Sequence, residues 1–208
     1  EKKKEENNKN NSGTNSSNNN DNSNNDQYNV ENSKEYLPEI TKEDMELISQ
    51  PIDFYAQNIY CGEKVRAGAD GEPEIVDFPA GFPKTAIKWP ITPECLRWGP
   101  RFLYERYKLP IYITENGMSS CDVVSLDSKV HDPNRIDFME RYFLELEKAI
   151  EDGAEIEGYF YWSLLDNYEW GSGFSERFGL VYVDYTTQQR IPKDSAYWYK
   201  KWIEEHSK

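Results

Sequence analysis

Three short apolar runs, separated by helical segments, constrain the fold of this 208-residue chain more than any other feature. They occupy residues 52–60, 111–115 and 157–165 and contain the β-branched and aromatic residues typical of buried strands. Strands that alternate with helices predict a parallel sheet with helices outside it. An open three-stranded parallel sheet would leave two bare edges and much apolar surface. The sequence therefore predicts part of a larger barrel, because a complete (β/α)8 barrel needs about 250 residues.

The elements around these strands are predicted from helix caps and hydrophobic spacing. Thr41 and Asp44 have the spacing of a capping box and predict a short helix. Longer helices are expected at residues 93–107, with a break at Gly99-Pro100 left open, at 133–152 and at 195–205. Residues 61–88 predict a long loop, which in a compact domain is usually functional, and residues 180–185 predict a small additional strand.

The first 34 residues differ in composition from the rest of the chain. They are almost entirely Asn, Ser, Lys, Glu and Asp, with almost nothing to bury. Such a composition cannot offset the entropy cost of ordering, so residues 1–34 are predicted to be disordered. Whether they form a tail or an inserted loop is left open. Residues 35–208 are predicted to form the folded part.

Charge and aromatic content limit the classes of ligand. The formal net charge is -14, which argues against nucleic acid or an anionic membrane as a partner. Aromatic residues make up 14% of the chain, and together with acidic groups they suit a neutral polar ligand such as a sugar, although most of the charge is read as solvated surface. The three cysteines have no metal-ligand spacing and cannot all pair, which favours a reducing compartment such as the cytoplasm.

The heptapeptide at residues 111–117, IYITENG, contains the strongest candidate for a reactive group. Its apolar part predicts a buried strand, and Asn116-Gly117 predicts the turn that ends it. Glu115 is therefore expected at the carboxyl end of the strand, which is where α/β folds bind ligands. A carboxylate at this position is either a reactive group or an ion-pair partner, and the heptapeptide alone does not decide between them.

Several separated motifs, read together, resemble one known family. They are DFYAQNIY, KWPITPECL, YITENG, VHDPNRIDF, GYFYWSLLDNYEWGSGFSERFGLVYVDY and RIPKDSAYWY. In this order they resemble the carboxy-terminal portion of family 1 glycoside hydrolases, the β-glucosidase family, over residues 37–203. The resemblance implies a (β/α)8 TIM barrel, of which this chain supplies the last three β/α units, β6–β8, so that the barrel is incomplete.

The resemblance also implies roles for residues at the strand ends. Glu115 matches the catalytic nucleophile, an ionised carboxylate that attacks the anomeric carbon in a retaining glycosidase. Tyr60 matches the tyrosine whose hydroxyl group hydrogen-bonds that nucleophile and favours its charged form. Asn58, two residues earlier and so on the same side of the strand, is expected to bind substrate.

Five further positions match substrate-binding residues of the family. Trp162 matches the platform under the sugar ring, Glu169 the acceptor for the 4- and 6-hydroxyls, and Trp170 the donor to the 3-hydroxyl. Phe178 matches a pocket wall residue, and Trp89 lines the side where the leaving group stacks. Because a carboxylate at position 169 would repel a phosphate, the resemblance implies a non-phosphorylated sugar.

His131, Asp132 and Arg135 also match a family motif, but they are read as structural, with Asp132 as a helix cap. No cofactor and no metal are expected, and no run is long and apolar enough to span a membrane.

The functional expectation is the fragment of a retaining β-glucosidase that carries the nucleophile. The family's acid/base glutamate lies in an Asn-Glu-Pro motif, which is absent from the 208 residues. This chain alone is therefore expected to be inactive and to need the missing amino-terminal part of the barrel as its partner. Its substrate would be a β-glucoside or a cello-oligosaccharide. The alternatives are an inactive remnant or sugar-binding piece, or a β-galactosidase or β-mannosidase of the same family.

Overall fold

The computed structural model describes residues 38–206, so the segment predicted to be disordered lies outside them. The chain divides into two units, Glu1–Gln50 and Pro51–Lys208. The described part of the first unit contains helix α1 (Lys42–Ile48). Its capping box is confirmed, because the Thr41 hydroxyl accepts from the Asp44 N–H at 3.1 Å and the Asp44 carboxylate accepts from the Thr41 N–H at 2.9 Å.

The second unit alternates strands and helices along the chain. In order, its elements are β1 (Tyr55–Asn58), β2 (Val65–Ala67), β3 (Pro73–Ile75), α2 (Cys95–Tyr107), β4 (Ile111–Asn116), α3 (Pro133–Glu151), β5 (Ile156–Tyr161), β6 (Val181–Val183), β7 (Arg190–Pro192) and α4 (Asp194–His206). One turn of 3-10 helix, Trp170–Ser172, lies between β5 and β6.

The main sheet has three strands in the order β1-β4-β5, and both strand pairs are parallel. Tyr55 pairs with Ile111, and Ile111 pairs with Ile156. Within the described residues β1 and β5 each pair on one side only, so the sheet is open at both edges. The predicted parallel β/α arrangement is confirmed, and in the part of the chain that the structure describes the sheet is not closed into a barrel.

The core lies between one face of this sheet and the helices. Ile111 and Ile113 alternate toward the helices and are fully buried, and Phe138, Met139 and Tyr142 of α3 cover them. Helix α3 packs between α2 and α4. The opposite face of the sheet is open, as the half-exposed rings of Phe54 and Phe160 show.

Several local details differ from the sequence prediction. Strand β1 is shorter than the predicted 52–60, and β5 ends at Tyr161, before the predicted end at residue 165. Helix α2 begins at Cys95 and continues through Pro100. The helix is not interrupted at Gly99-Pro100. Because Gly99 has no side chain, the helix packs closely on Ile59: a Cβ atom at position 99 would lie 3.3 Å from the Ile59 Cδ1 atom. The predicted long loop contains the β2–β3 hairpin. Among residues 38–206, no helix is both long and apolar enough to cross a membrane.

Candidate active site

The carboxyl ends of the three parallel strands bring the candidate residues to one edge of the sheet. Tyr60 follows β1 by two residues, Glu115 is the penultimate residue of β4, and Trp162 directly follows β5. Parallel strands run in the same direction, so these three positions lie together at the carboxyl end of the strands, where β/α barrels place their catalytic groups.

A short hydrogen bond joins the two residues predicted to be catalytic. The Tyr60 hydroxyl donates to Oε2 of Glu115 at 2.7 Å, and both side chains are half-buried. Burial raises the pKa of Tyr60 well above its usual value, and the hydrogen bond to Glu115 and the negative charges of Glu115 and Glu169 raise it further. Tyr60 therefore stays protonated, and its hydroxyl donates to the Glu115 side chain and orients it.

Two aromatic side chains pack beside this pair. The Trp89 ring lies 4.9 Å from the Tyr60 ring and 6.0 Å from the Phe178 ring, centroid to centroid. Phe178 is buried, and the Thr85 N–H holds the Trp89 backbone by donating to its carbonyl at 2.9 Å. The structure thus brings Trp89 and Phe178 together as an apolar wall next to Tyr60.

The segment after β5 carries three more predicted residues. Trp162 is half-buried, and its N–H donates to the Asn116 carbonyl at 2.8 Å. The Glu169 N–H donates to the Gly173 carbonyl at 2.6 Å, and the charge of Glu169 acts on Tyr60. Trp170 is 82% exposed, so of these residues it is the one with least support from the protein around it.

Asn58 lies at the end of β1, opposite Glu115 in the strand pairing. Its side chain is exposed, and its Oδ1 atom accepts a hydrogen bond from the Thr114 hydroxyl at 2.7 Å. This bond fixes the side-chain amide group of Asn58 through its oxygen and leaves the Nδ2 atom to act as a hydrogen-bond donor. Asn58 therefore lies within the same strand-end cluster as the predicted nucleophile.

A buried network of charged side chains lies behind the site, and the sequence prediction missed most of it. It joins three carboxylates to three cations: Asp122, Asp132, Asp166, Arg135, Arg177 and Lys193. Lys193 bonds both Asp122 at 2.5 Å and Asp166 at 2.9 Å. Burial alone would raise the pKa of Asp122, but the Arg135 and Lys193 charges outweigh it and lower that pKa.

The prediction that Asp132 caps α3 is wrong for its side chain. Asp132 occupies the N-cap position but makes no side-chain capping bond. Its carboxylate instead accepts from Arg135 and from the Ser195 N–H and hydroxyl at 2.9 and 2.6 Å, which links the start of α3 to the start of α4. Arg135 is fully buried, and its demand for acceptors outcompetes the helix N–H groups.

His131 lies at the exposed rim of this region. Its ring nitrogens contact the carboxylates of Asp194 at 2.6 Å and Asp127 at 3.1 Å. These contacts give His131 an ion-pairing role at the start of α3 and α4. Within residues 38–206, no cluster of three or more His, Cys, Asp or Glu side chains is arranged to hold a metal ion.

The strand ends of the open parallel β/α sheet thus present a tyrosine-bound carboxylate and aromatic side chains, which is where β/α folds place their ligand sites. The sequence model of Glycosyl hydrolase family 1 matches residues 16–208. The chain belongs to glycosyl hydrolase family 1.

Similar proteins are named as β-glucosidases. Beta-glucosidase A from Thermotoga maritima is 48% identical over 82% of this chain and 38% of its own length. A bifunctional beta-D-glucosidase/beta-D-fucosidase from Bifidobacterium breve is 38% identical over 79% of this chain and 40% of its own length. The solved Thermotoga maritima β-glucosidase in complex with castanospermine superimposes with a TM-score of 0.72 at 46% identity, covering 86% of this chain and 40% of that one. The chain thus spans about 40% of the length of these relatives.

Proposed function

We propose that this chain is the part of a retaining β-glucosidase that carries the catalytic nucleophile, Glu115. The observation that carries the proposal is the 2.7 Å hydrogen bond from Tyr60 to a carboxylate at the end of a parallel strand. Membership of glycosyl hydrolase family 1 and the names of the relatives support it.

The proposed chemistry follows from the position of the carboxylate. Ionised Glu115 attacks the anomeric carbon and forms a covalent glycosyl-enzyme intermediate, which water then hydrolyses. Tyr60 holds Glu115 in position during the attack by donating a hydrogen bond to it, since burial and two nearby negative charges keep the proton on Tyr60. In retaining enzymes, a second carboxyl group about 5–5.5 Å away protonates the leaving oxygen.

The proposed sugar site is built from the side chains at the same edge of the sheet. Trp162 stacks under the ring, Glu169 accepts two of its hydroxyls, and Trp170 and Asn58 donate to others. Trp89 and Phe178 form the apolar wall, with Trp89 facing the leaving group. A carboxylate at position 169 disfavours 6-phosphorylated sugars through charge repulsion.

The preferred sugar is glucose, in β-glucosides or cello-oligosaccharides, because the relatives above share a β-glucosidase name. The Bifidobacterium breve relative is also named a β-D-fucosidase, and D-fucose has the axial 4-hydroxyl of galactose. This name favours a β-galactosidase as the alternative specificity, and a β-mannosidase is the other alternative. Hydrolysis rates of the 4-nitrophenyl β-glucoside, β-galactoside and β-mannoside decide between the three.

We further propose that the chain supplies the sixth to eighth strands of the barrel and needs the remaining strands as a partner. Both flanks of the sheet support this. A cavity of about 470 Å³ lined by Gln57, Trp98 and Phe102 lies beside β1, and one of about 480 Å³ lined by Tyr199 and Trp202 lies beside β5. Each flank is open where a barrel would continue, and the buried Oε1 atom of Gln57 has no hydrogen-bond partner among the described residues.

Without the partner the chain is proposed to be inactive. The Asn-Glu-Pro motif of the family's acid/base glutamate is absent from the 208 residues, and loss of general acid catalysis alone costs roughly 10²–10⁴-fold in rate. The second candidate function, an inactive remnant or sugar-binding piece, rests on the same 38–40% coverage of the relatives.

Reconstitution tests these proposals. The chain is combined with the amino-terminal part of Thermotoga maritima β-glucosidase A that its match leaves uncovered, as a mixture and as one fused chain, and hydrolysis of 4-nitrophenyl β-glucoside is followed. We expect turnover by the assembly and none by either part. Glu115→Gln abolishes it, whereas Glu147→Gln, at an exposed position on α3, leaves it unchanged. Turnover by the Glu115→Gln assembly at the wild-type rate contradicts the role of Glu115, and hydrolysis by the isolated chain contradicts its need for a partner.

A further inference from the structure

The residue after Glu115 makes an unusual set of contacts. Asn116 is fully buried as the last residue of β4, and residues 117–119 do not form the turn that Asn116-Gly117 predicted. Its Nδ2 atom donates to the Ile59 carbonyl at 2.8 Å, and its Oδ1 atom accepts from the Tyr159 hydroxyl at 2.8 Å. One side chain therefore joins the end of β4 to residues of the β1 and β5 segments on either side.

The backbone at the same level makes matching links. The Ile59 N–H donates to the Glu115 carbonyl at 2.9 Å, and the Trp162 N–H donates to the Asn116 carbonyl at 2.8 Å. The segments that carry Tyr60, Glu115 and Trp162 are thus tied to one another through Asn116 and its neighbours.

These links lie where the regular strand pairing fails. The β1–β4 register shifts between Gln57 and Asn58, and the β4–β5 register shifts between Ile113 and Asn116. A register shift interrupts the ladder that would otherwise fix the relative height of neighbouring strands. At this level the Asn116 side chain adds a hydrogen bond to each neighbouring segment beside the remaining backbone bonds, so it helps to set how the strand ends meet.

Tyr159 is built to serve as the fixed donor in this arrangement. Its ring packs edge-to-face on Phe143 of α3 at 4.8 Å. Burial, followed by the neighbouring tyrosines, raises the pKa of Tyr159 well above its usual value, so its hydroxyl stays protonated and donates to Asn116. Helix α3 thereby contacts the Tyr159 side chain, which in turn holds the end of β4 through Asn116.

We propose that Asn116 is a positioning residue for the nucleophile: its two side-chain hydrogen bonds hold Glu115 in line with Tyr60 and with Trp162. The proposal rests on the proposed function of Glu115. Asn116 itself touches no reacting atom, and it acts by fixing the strand end on which Glu115 is mounted. A displacement of about 1 Å at a reacting group can cost about 10²-fold in rate.

The decisive variant is Asn116→Asp, which keeps the shape and changes only the donor. When its carboxyl group is protonated, it donates to the Ile59 carbonyl and accepts from Tyr159, as the amide does. When ionised, it places a negative charge against the Ile59 carbonyl oxygen. Burial raises the pKa of such a carboxyl group, so both states are reached within the assay range.

The variants are measured in the reconstituted enzyme. We expect the alkaline limb of kcat against pH to move at least about one pH unit lower in Asn116→Asp, and kcat to fall about 10- to 100-fold at all pH values in Asn116→Leu, with KM within about threefold. Tyr159→Phe, which keeps the ring on Phe143, lowers kcat by a smaller factor. Leu146→Ala, in the buried face of α3, is the control: it lowers stability and leaves kcat and the pH profile unchanged.

Two outcomes overturn the proposal: a wild-type kcat and pH profile in both Asn116 variants, or the same changes in Leu146→Ala. If the wild-type assembly itself has no turnover, the proposed function fails first, and the isolated chain still tests the geometry by NMR. The side-chain amide protons of Asn116 should exchange with solvent at least about 100-fold more slowly than those of exposed Asn58, because the buried Asn116 amide group donates to the Ile59 carbonyl. Equal exchange rates for the two amides overturn the proposal.

Discussion

Gly117, directly after the strand that carries Glu115, tests the packing of the site most sharply. A Cβ atom at this position would lie 1.9 Å from the Trp162 carbonyl oxygen and 3.0 Å from its carbonyl carbon. Both atoms belong to the backbone, so no side-chain rotation relieves the contact. Gly117→Ala must therefore move the chain after β5 away from the end of β4.

The size of the effect follows from that distance. The separation must grow from 1.9 Å to at least 3.0 Å, a shift of about 1.1 Å in backbone that is buried. Overpacking of this kind costs about 1–3 kcal/mol. The shift also strains the Trp162 N–H to Asn116 carbonyl bond of 2.8 Å, and loss of such a bond costs about 1 kcal/mol. We therefore expect Gly117→Ala to lower the free energy of unfolding by about 2–4 kcal/mol.

Urea unfolding of the 208-residue chain, followed by tryptophan fluorescence, measures this difference. Gly171→Ala is the matched control, because a Cβ atom there meets nothing within 4 Å. That variant should stay within about 0.5 kcal/mol of the wild type. Equal stability of the two variants would refute the packing argument. In the reconstituted enzyme, Gly117→Ala should also lower kcat about 10²-fold.

Three further predictions concern single interactions. Tyr60→Phe removes the 2.7 Å hydrogen bond to Glu115, and a hydrogen bond to a charged acceptor contributes about 1.5–3 kcal/mol. Formation of the glycosyl-enzyme should therefore slow about 10- to 100-fold in rapid-quench experiments. An unchanged rate contradicts the role of Tyr60. Asp166→Asn leaves the positive charges of Lys193 and Arg177 without a full counter-charge and should lower the free energy of unfolding in urea by about 3–5 kcal/mol. Asp137→Asn, in an exposed ion pair with Arg141, should lower it by less than about 1 kcal/mol. Equal losses in the two variants contradict this prediction. The hydrogen bonds to Asp194 and then Asp127 raise the pKa of His131 above its ordinary 6.5, so its contribution to stability is complete below pH 6.5 and is lost as pH rises through the raised value. The melting temperature of wild type relative to His131→Gln should therefore fall as the pH rises above about 6.5, and a constant difference contradicts this.

The strand of Glu115 and the helix after it could be predicted because their signals are local. Ile111 and Ile113 alternate with less buried residues, and the core positions of α3 recur at helical spacing. Asn-Gly after a buried run marks where the strand ends, so the position of Glu115 at the strand end follows from seven residues, although Asn116 and Gly117 form no turn in the structure. The pairing of Tyr60 with Glu115 came from the family resemblance, and the structure shows the hydrogen bond itself.

The buried charge network could not be predicted because it depends on distant parts of the chain. Asp122 and Lys193 are 71 residues apart, and each looks like an ordinary surface charge in the sequence. Asp132 before Pro133 is a helix-start signal, yet the carboxylate of Asp132 accepts from buried Arg135 and not from the helix N–H groups. The Asn116 contacts are hidden in the same way, since an Asn before a Gly indicates a turn and says nothing about Ile59 or Tyr159.

Covalent trapping of the reconstituted enzyme tests the central claim most directly. A 2-deoxy-2-fluoro-β-glucosyl fluoride slows hydrolysis of the glycosyl-enzyme so that the labelled residue can be found by peptide mass spectrometry. We expect one sugar adduct, on the peptide that contains Glu115, which disappears in Glu115→Gln and persists in Glu147→Gln. An adduct on a different carboxylate, or full labelling of the Glu115→Gln enzyme, would contradict the assignment of Glu115 as the nucleophile.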